Sequence, residues 1–191
     1  MPRLEREDIV WGLRELVARA RAAGIVGARI YIVGGAALRL AYFDRPATGD
    51  IDARIHLAAE LQPIIDEIAN QRGWMRGWLN SAAEKFIPGY GSPVEWVPVL
   101  DDQSVSVWIA PADTLLAMKL KAMEGRRGRD EDDVAYLLAI NGIASAEEAE
   151  ELLGSFFPGD ALNDRAYATL IRIIDDGLPP PVPPMDVDLG G

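Results

Sequence analysis

The sequence predicts an α+β fold in which an α/β N-terminal half is followed by a helical C-terminal half. Up to about residue 110, segments with apolar residues at helical spacing are interspersed with short segments that alternate apolar and polar residues, as strands do. From Pro111 to about residue 174 the apolar spacing is helical throughout. With 191 residues, the chain has the length of about one domain.

The N-terminal half is predicted to contain three helices and four strands. Apolar residues at every third or fourth position predict helices over residues 5–23, 36–43 and 58–71, and alternation predicts strands over residues 28–33, 50–55, 94–99 and 105–109. Residues 45–49 form a loop by composition, and residues 101–103 a hairpin turn. Residues 73–92 are rich in glycine and aromatic residues and show no clear period beyond a short helix near 82–86; their aromatic side chains are expected to pack on the sheet rather than stack on a base.

The C-terminal half is predicted to hold four helices, over residues 111–124, 130–140, 145–154 and 161–174. Ser145 and Glu148 have the spacing of a capping box at the start of the third of these helices. The proline-rich run at 179–184 can form neither a helix nor a central strand, so we expect an extended or disordered tail. The predicted organisation is an α/β core over 1–110, a helical part over 111–176 and a tail over 177–191.

Composition excludes several classes of site. There is no cysteine, so disulfides, thiolate metal sites and cysteine nucleophiles are excluded, and a single histidine, His56, excludes a zinc site built from several imidazoles. The net charge of −11 disfavours nucleic-acid binding over the whole surface. No apolar run is long enough for a membrane span, and the charged N-terminus does not resemble a signal peptide, so we expect a cytoplasmic protein without a membrane partner.

The segment from Tyr31 to Ile55 carries the most informative pattern. A predicted strand runs into Gly34 and Gly35, and a helix follows directly. Glycines in such a turn let a phosphate approach the backbone, and the start of the helix offers free amides to the same phosphate. The next strand opens with Asp50 and Asp52, whose side chains point to one side because they are two residues apart. Carboxylates so placed can share Mg²⁺, and a phosphate cradle beside them is the equipment of metal-dependent phosphoryl or nucleotidyl transfer.

These residues resemble the nucleotidyltransferases of the DNA polymerase β type. Within that superfamily, the Arg45-x-x-Thr48-x-Asp50-Ile51-Asp52 segment is similar to the small bacterial AbiEii-like enzymes that act as toxin components of toxin–antitoxin and abortive-infection pairs. The run Leu115–Ala122 and the residues that follow it are similar to the lysine-rich helix and the Arg-Asp-x-x-Asp segment of the same group. The residues that carry this second similarity are Lys119, Lys121, Arg126, Arg129, Asp130 and Asp133.

The resemblance implies a nucleotidyltransferase-like mixed β-sheet flanked by helices, with a C-terminal helical bundle. It also implies roles for single residues. Gly34 and Gly35 would hold the triphosphate, while Asp50 and Asp52 would bind two Mg²⁺ ions. A third carboxylate is expected on a neighbouring strand, where Glu95 is the best match and Asp101 and Asp102 are rivals.

The remaining assignments concern the basic residues and the loop before the metal strand. Lys119 is expected to face phosphate as a catalytic and nucleotide-binding residue, and Arg129 to bind the nucleotide or to join an ion network with Asp130 and Asp133. Arg45 and Thr48 either order their loop or contact phosphate.

The predicted activity is transfer of a nucleoside monophosphate from a nucleoside triphosphate to an acceptor hydroxyl. By resemblance, the acceptor is RNA, such as a tRNA, or a protein, and the chain is the toxin of a pair with a cognate antitoxin. The alternative is a non-catalytic nucleotide- or metal-binding interaction module of the same fold.

Overall fold

The fold is α+β, as predicted, with a five-stranded mixed sheet. The computed structural model describes residues 3–123, 125 and 130–189. Its helices are α1 Arg6–Ala22, α2 Gly34–Ala41, α3 Ala58–Arg72, α4 Ala112–Met123, α5 Glu131–Asn141, α6 Ala146–Phe156 and α7 Asp164–Asp175. Its strands are β1 Ala28–Ile32, β2 Ile51–His56, β3 Leu79–Asn80, β4 Val97–Leu100 and β5 Val105–Ile109. A 3₁₀ turn covers Glu84–Phe86, and none of the helices in the described ranges is long and apolar enough to span a bilayer.

The strands lie side by side in the order β3-β2-β1-β5-β4. The central strand β1 runs antiparallel to β2 and parallel to β5, and the outer pairs are β2 with β3, parallel, and β4 with β5, antiparallel. In β1, Ala28, Ile30 and Ile32 are buried while Arg29 and Tyr31 are not. Because successive side chains point to opposite faces, one face of the sheet forms core and the other carries the more polar residues.

The chain divides into two compact units. The first takes in residues 1–85, 96–110 and 184–191, and the second takes in residues 86–95 and 111–183. The first unit therefore holds the whole sheet with α1, α2 and α3, and the second holds α4 to α7.

In the first unit, α1 packs on α2 and α3, and the sheet is contacted by α1 at β5 and by α2 at β2. Helix α1 begins where the Asp8 carboxylate accepts a hydrogen bond from the Glu5 backbone N–H at 3.1 Å, and it buries Ile9, Leu13 and Leu16. Trp78 is fully buried, and its indole N–H donates to the Ile65 carbonyl at 3.0 Å. Burial with a satisfied donor makes Trp78 a core residue, the packing role expected for the aromatic segment.

In the second unit, α4 packs on α5 and α6, and α7 packs on the same two helices. The predicted capping box is confirmed: the Glu148 N–H donates to the Ser145 hydroxyl at 3.2 Å, and the Ser145 N–H donates to the Glu148 carboxylate at 3.3 Å. Helix α5 ends at Gly142, which has a φ of +67°. Predicted and observed bounds of the four C-terminal helices agree to within one to three residues.

The strand predicted over residues 94–99 is wrong at its N-terminal side. Strand β4 begins only at Val97, and Glu95 lies in an exposed loop before it. Val97 is in register with Ile109, the last residue of β5, so Trp96 would lie opposite Ala110 and Glu95 opposite Pro111, directly before α4. Proline has no N–H to donate and a helix offers no strand edge, which is why the strand cannot extend to Glu95.

The chain after α7 contains neither helix nor strand over residues 178–189. Its last described residues, from 184 on, belong to the first unit and contact α1 and the end of α2. The Met185 N–H donates to the Ala41 carbonyl at 2.7 Å, and the side chains of Arg6 and Arg14 donate to the carbonyls of Asp186 and Asp188. The composition of the tail gave no indication of these contacts.

Candidate functional site

Gly34 and Gly35, predicted as a turn before a helix and called the glycine turn below, are the first two residues of α2, and Gly34 lies directly against Asp52, one of the two predicted metal ligands. The Val33 N–H donates to the Asp52 carbonyl at 2.9 Å, which extends the pairing of β1 with β2 by one residue. Gly34 follows with a φ of +65°, and a β-carbon on it would lie 3.3 Å from the Asp52 Oδ2. Glycine is thus favoured by both the left-handed backbone and the close approach of the carboxylate.

The second glycine lies against the loop that precedes β2. A β-carbon on Gly35 would overlap the Arg45 guanidinium and lie 3.2 Å from the Thr48 hydroxyl. Thr48 is fixed by backbone hydrogen bonds with Leu4 in both directions, and its hydroxyl donates to the Asp50 carbonyl at 3.1 Å. Thr48 therefore orders this loop, one of the two roles predicted for it, and stands next to the glycine turn.

The start of α2 has the properties of an anion-binding helix end. The residue before the helix, Val33, offers no side chain that could cap the first amides, and the first turn contains no acidic residue. The amides of the first turn of a helix have no partner within the helix and lie at the positive end of its dipole. By these two properties the helix end suits a phosphate beside Gly34 and Gly35.

The two aspartates lie at the start of β2 with both carboxylates half-buried. Asp50 immediately precedes the strand and Asp52 is its second residue, so their side chains leave on the same side. The Asn80 amide donates to the Asp50 Oδ2 at 3.0 Å. Asn80 lies in β3, in register with Asp52, and its amide oxygen accepts the Ala82 N–H at 2.8 Å. Asn80 is thus a supporting residue of the site that the sequence did not reveal.

The pair of carboxylates fits a magnesium site that is completed by other ligands. Mg²⁺ is usually held by one or two carboxylates, with water and phosphate oxygens filling the remaining positions. Over residues 3–123, 125 and 130–189, no three acidic or histidine side chains are grouped closely enough to hold a metal ion. A metal ion at this place would therefore find the carboxylates of Asp50 and Asp52, without a third carboxylate from the described residues.

Glu95, predicted as the third carboxylate, does not have the context that favoured it. That prediction depended on a strand with apolar neighbours, whereas the residue is exposed in a loop and belongs to the second unit. Its role as a metal ligand stays a prediction without the strand that supported it.

The two rival acids, Asp101 and Asp102, instead hold the hairpin between β4 and β5. The Asp102 carboxylate pairs with Arg21 at 2.6 Å and accepts the Ser104 N–H at 2.8 Å. The hydrogen bonds from the Arg21 guanidinium and from the Ser104 amide hold the pKa of Asp102 below its usual value. The hairpin lies at the Ala28 end of β1, whereas Asp52 lies at the opposite end beside Val33.

Lys119 is part of an ion triad in the second unit. Its ammonium lies 2.5 Å from the Asp130 carboxylate and 2.8 Å from the Asp133 carboxylate, and the three side chains are only 6–13% exposed. Two carboxylates around one ammonium leave a net charge of −1, so the lysine is neutralised. An ion network was predicted for Asp130 and Asp133 together with Arg129; the two aspartates do lie in such a network, but with Lys119, and it ties α4 to the start of α5.

For the other basic residues that were predicted to bind phosphate, the structure describes few contacts or none. Arg129, predicted to bind the nucleotide, lies outside the described residues, as do Arg126 and Arg127. Lys121 pairs with Asp160, and its ammonium lies 4.5 Å from the centre of the Phe157 ring. The phosphate-binding roles of Lys119 and Arg129 therefore stay predictions.

No known protein family, no curated protein and no solved structure matches this chain. The resemblance to nucleotidyltransferases rests on the motif residues alone. What the structure adds is the proximity, within the first unit, of Gly34, Gly35, Thr48, Asp50 and Asp52.

Proposed function

We propose that this protein is a metal-dependent nucleotidyltransferase that moves a nucleoside monophosphate from a nucleoside triphosphate to an acceptor hydroxyl. The observation that carries the proposal is the close approach of Gly34 to the Asp52 carboxylate, whose Oδ2 would lie 3.3 Å from a β-carbon placed on the glycine. A turn suited to phosphate and an acid suited to Mg²⁺ are expected to be adjacent in such an enzyme, because Asp52 would hold the ion that neutralises the charge of the phosphates.

In this proposal the first unit binds the triphosphate by its backbone. The amides at the start of α2 donate to phosphate oxygens, and Gly34 and Gly35 leave room for the phosphate because they have no side chain. Arg45 stands over Gly35 and is the cation nearest to this turn among the contacts of the two glycines. Its guanidinium suits a phosphate group by charge and by geometry.

Asp50 and Asp52 would hold Mg²⁺, and Asn80 would orient the Asp50 carboxylate through its hydrogen bond. The metal supplies charge neutralisation of the triphosphate and alignment of the reacting oxygens. The resemblance implies two ions, and a second ion would need ligands beyond these two side chains. The proposal does not depend on Glu95 or on Lys119.

The acceptor and the biological role are taken over from the resemblance. We propose an acceptor hydroxyl on RNA, such as a tRNA, or on a protein, and a role as the toxin of a toxin–antitoxin or abortive-infection pair with a cognate antitoxin. The net charge of −11 favours a small contact area with any nucleic acid over a broad one.

One observation favours the alternative of a non-catalytic nucleotide- or metal-binding module. The described residues contain no third carboxylate grouped with Asp50 and Asp52. Such a module would bind nucleotide and Mg²⁺ without turnover. The pair of aspartates is compatible with both functions, because either would place Mg²⁺ beside two acids that lie on one side of a strand.

The test is labelling of a bacterial lysate with each α-labelled nucleoside triphosphate in the presence of Mg²⁺. We expect label in material sensitive either to ribonuclease or to protease, reduced by at least about 100-fold in Asp52→Asn, because a catalytic metal contributes several kcal/mol to the barrier. Asp176→Asn, at the end of α7, is the matched control and should label like the wild type. Mg²⁺-dependent nucleotide binding without any label would favour the binding module instead.

A further inference from the structure

Three aromatic rings form a continuous group on the sheet of the first unit. Tyr31 in β1 stacks on Trp108 in β5, with ring centres 4.9 Å apart and ring planes 14° from parallel. Trp96, just before β4, contacts the ring of Tyr31, with 4.9 Å between the two ring centres. We call Tyr31, Trp96 and Trp108 the aromatic shelf.

The aromatic shelf lies on the same face of the sheet as Asp52. Tyr31 is in register with Arg54 on β2 and with Trp108 on β5. Residues directly opposite each other share a face, and so do residues two apart along a strand, so Tyr31, Trp108 and Asp52 all leave the sheet on one side. Asp52 and Tyr31 are diagonal neighbours across the β1–β2 pair, which separates their α-carbons by roughly 7–8 Å.

The shelf differs from the aromatic residues of the core. Trp78 is fully buried with its indole N–H bonded to a carbonyl. The three shelf residues are only half-buried. Within the described chain, neither shelf indole nor the Tyr31 hydroxyl is a buried polar atom without a partner, and none of them takes part in a hydrogen bond with another described residue. The two indole N–H groups and the Tyr31 hydroxyl are therefore exposed to solvent, where a ligand can contact them.

The charges around the shelf favour an anionic ligand. Arg54 stands opposite Tyr31, and the exposed Arg29 lies two residues before Tyr31 on the same face. Arg54 is paired with Glu84 at a distance of 3.6 Å, and both side chains are 40–49% exposed, so this ion pair is weak and can be exchanged. Two arginines beside stacked rings stand out in a chain whose net charge is −11.

We propose that the aromatic shelf stacks the base of the nucleoside triphosphate whose phosphates lie at the glycine turn. This inference rests on the proposed nucleotidyltransferase function and names the part of the first unit that holds the rest of the nucleotide. The separation of Asp52 from Tyr31 is of the order of the distance from the phosphates of a nucleotide across its sugar to its base. A shelf that binds by stacking discriminates by ring area, so purine nucleotides bind more tightly than pyrimidine nucleotides.

The experiment compares the binding of Mg²⁺·ATP and of Mg²⁺·tripolyphosphate by calorimetry. Tripolyphosphate has the phosphates without sugar or base, so it reports on the glycine turn alone. In Tyr31→Leu and Trp108→Leu, we expect the affinity for ATP to fall by about 5- to 100-fold, the range for the loss of one stacked base, while the affinity for tripolyphosphate is unchanged. Tyr90→Leu is the matched control, because the Tyr90 side chain is 98% exposed.

The outcomes separate this inference from the function on which it rests. Unchanged ATP affinity in both leucine variants would overturn the stacking role and leave the phosphate site standing. Failure of the wild type to bind tripolyphosphate would overturn the proposed function itself. If the leucine variants do not fold, the NMR spectrum of ATP bound to the wild-type protein tests the same inference. Ring stacking shifts the H2 and H8 resonances of ATP upfield. Unshifted resonances in bound ATP would contradict the proposal.

Discussion

Replacing Gly34 with alanine tests the feature on which the candidate site depends. Gly34 has a φ of +65°, where an alanine costs about 1–2 kcal/mol of stability because its β-carbon crowds the backbone. The new β-carbon would also lie 3.3 Å from the Asp52 Oδ2, closer than ordinary van der Waals contact. The carboxylate must therefore move by a few tenths of an ångström.

Gly24 offers a matched control in the same unit. It has a φ of +71°, and a β-carbon there would meet no atom within 4 Å. Gly24→Ala therefore carries the backbone cost without the contact. We expect urea denaturation to show a loss of about 1–2 kcal/mol in the free energy of unfolding for Gly24→Ala, and a larger loss for Gly34→Ala.

The two variants should also differ in binding. Gly34→Ala should weaken the affinity for Mg²⁺·tripolyphosphate, because it displaces Asp52 and fills the space that a phosphate would use, whereas Gly24→Ala should leave that affinity unchanged. If Gly34→Ala were no less stable than Gly24→Ala and bound tripolyphosphate as well as the wild type, the close approach of the turn to Asp52 would be refuted.

Three further predictions follow from single contacts. Lys119→Met should lower the free energy of unfolding by about 3 kcal/mol in urea denaturation, because it removes the ammonium that lies against two largely buried carboxylates. Arg21→Ala should raise the pKa of Asp102 towards its usual value, measured by NMR titration of the carboxyl group. Because the pKa of Asp102 is lower in the folded state, this carboxylate stabilises the fold above its usual pKa, and that contribution is lost as the pH falls through the folded-state value. Asn80→Ala should weaken Mg²⁺ binding by about 10- to 100-fold in calorimetry, the usual effect of removing a side chain that orients a metal ligand such as Asp50.

Elements with strong local signals were predicted well from the sequence. The strand over residues 105–109 is found with the same bounds, because its alternating residues are enclosed by a turn and by Pro111. The start of α6 was predicted from the capping box of Ser145 and Glu148, a signal contained within four residues. In both cases the residues that decide the structure are adjacent in the chain.

Features that depend on pairing between distant segments were not predicted. Strand β3 has two residues, too few to show a period, so the contact of Asn80 with Asp50 could not be inferred. Glu95 alternates with apolar neighbours as a strand residue would, but the strand it would pair with has already ended at Ile109. Only the register between strands shows where the pairing stops.

In the candidate site, too, residues close together in the chain were predicted and residues brought together from distant segments were not. Gly34, Gly35, Asp50 and Asp52 were identified because they lie within 19 consecutive residues of one motif, 34–52. The aromatic shelf was missed, since its rings come from positions 31, 96 and 108 and are brought together by the pairing of β5 with both β1 and β4. Of the aromatic residues of segment 73–92 that were predicted to pack on the sheet, Trp78 is fully buried, whereas Phe86 and Tyr90 are 48% and 98% exposed, so the prediction is wrong for these two.

The first unit is assembled from pieces that are far apart in the chain, and this has a consequence for folding during synthesis. The hydrogen bonds of Met185 with Ala41 and of Arg6 with Asp186 join positions separated by about three quarters of the chain or more. These bonds can form only after the ribosome has produced residues 111–183, which belong to the other unit. While the ribosome makes the helical unit, residues 184–189 have not yet been synthesised. The surfaces of α1 and of the end of α2 that these residues will contact therefore remain uncovered during that time. The contacts of the first unit are therefore complete only once residues 184–189 have left the ribosome.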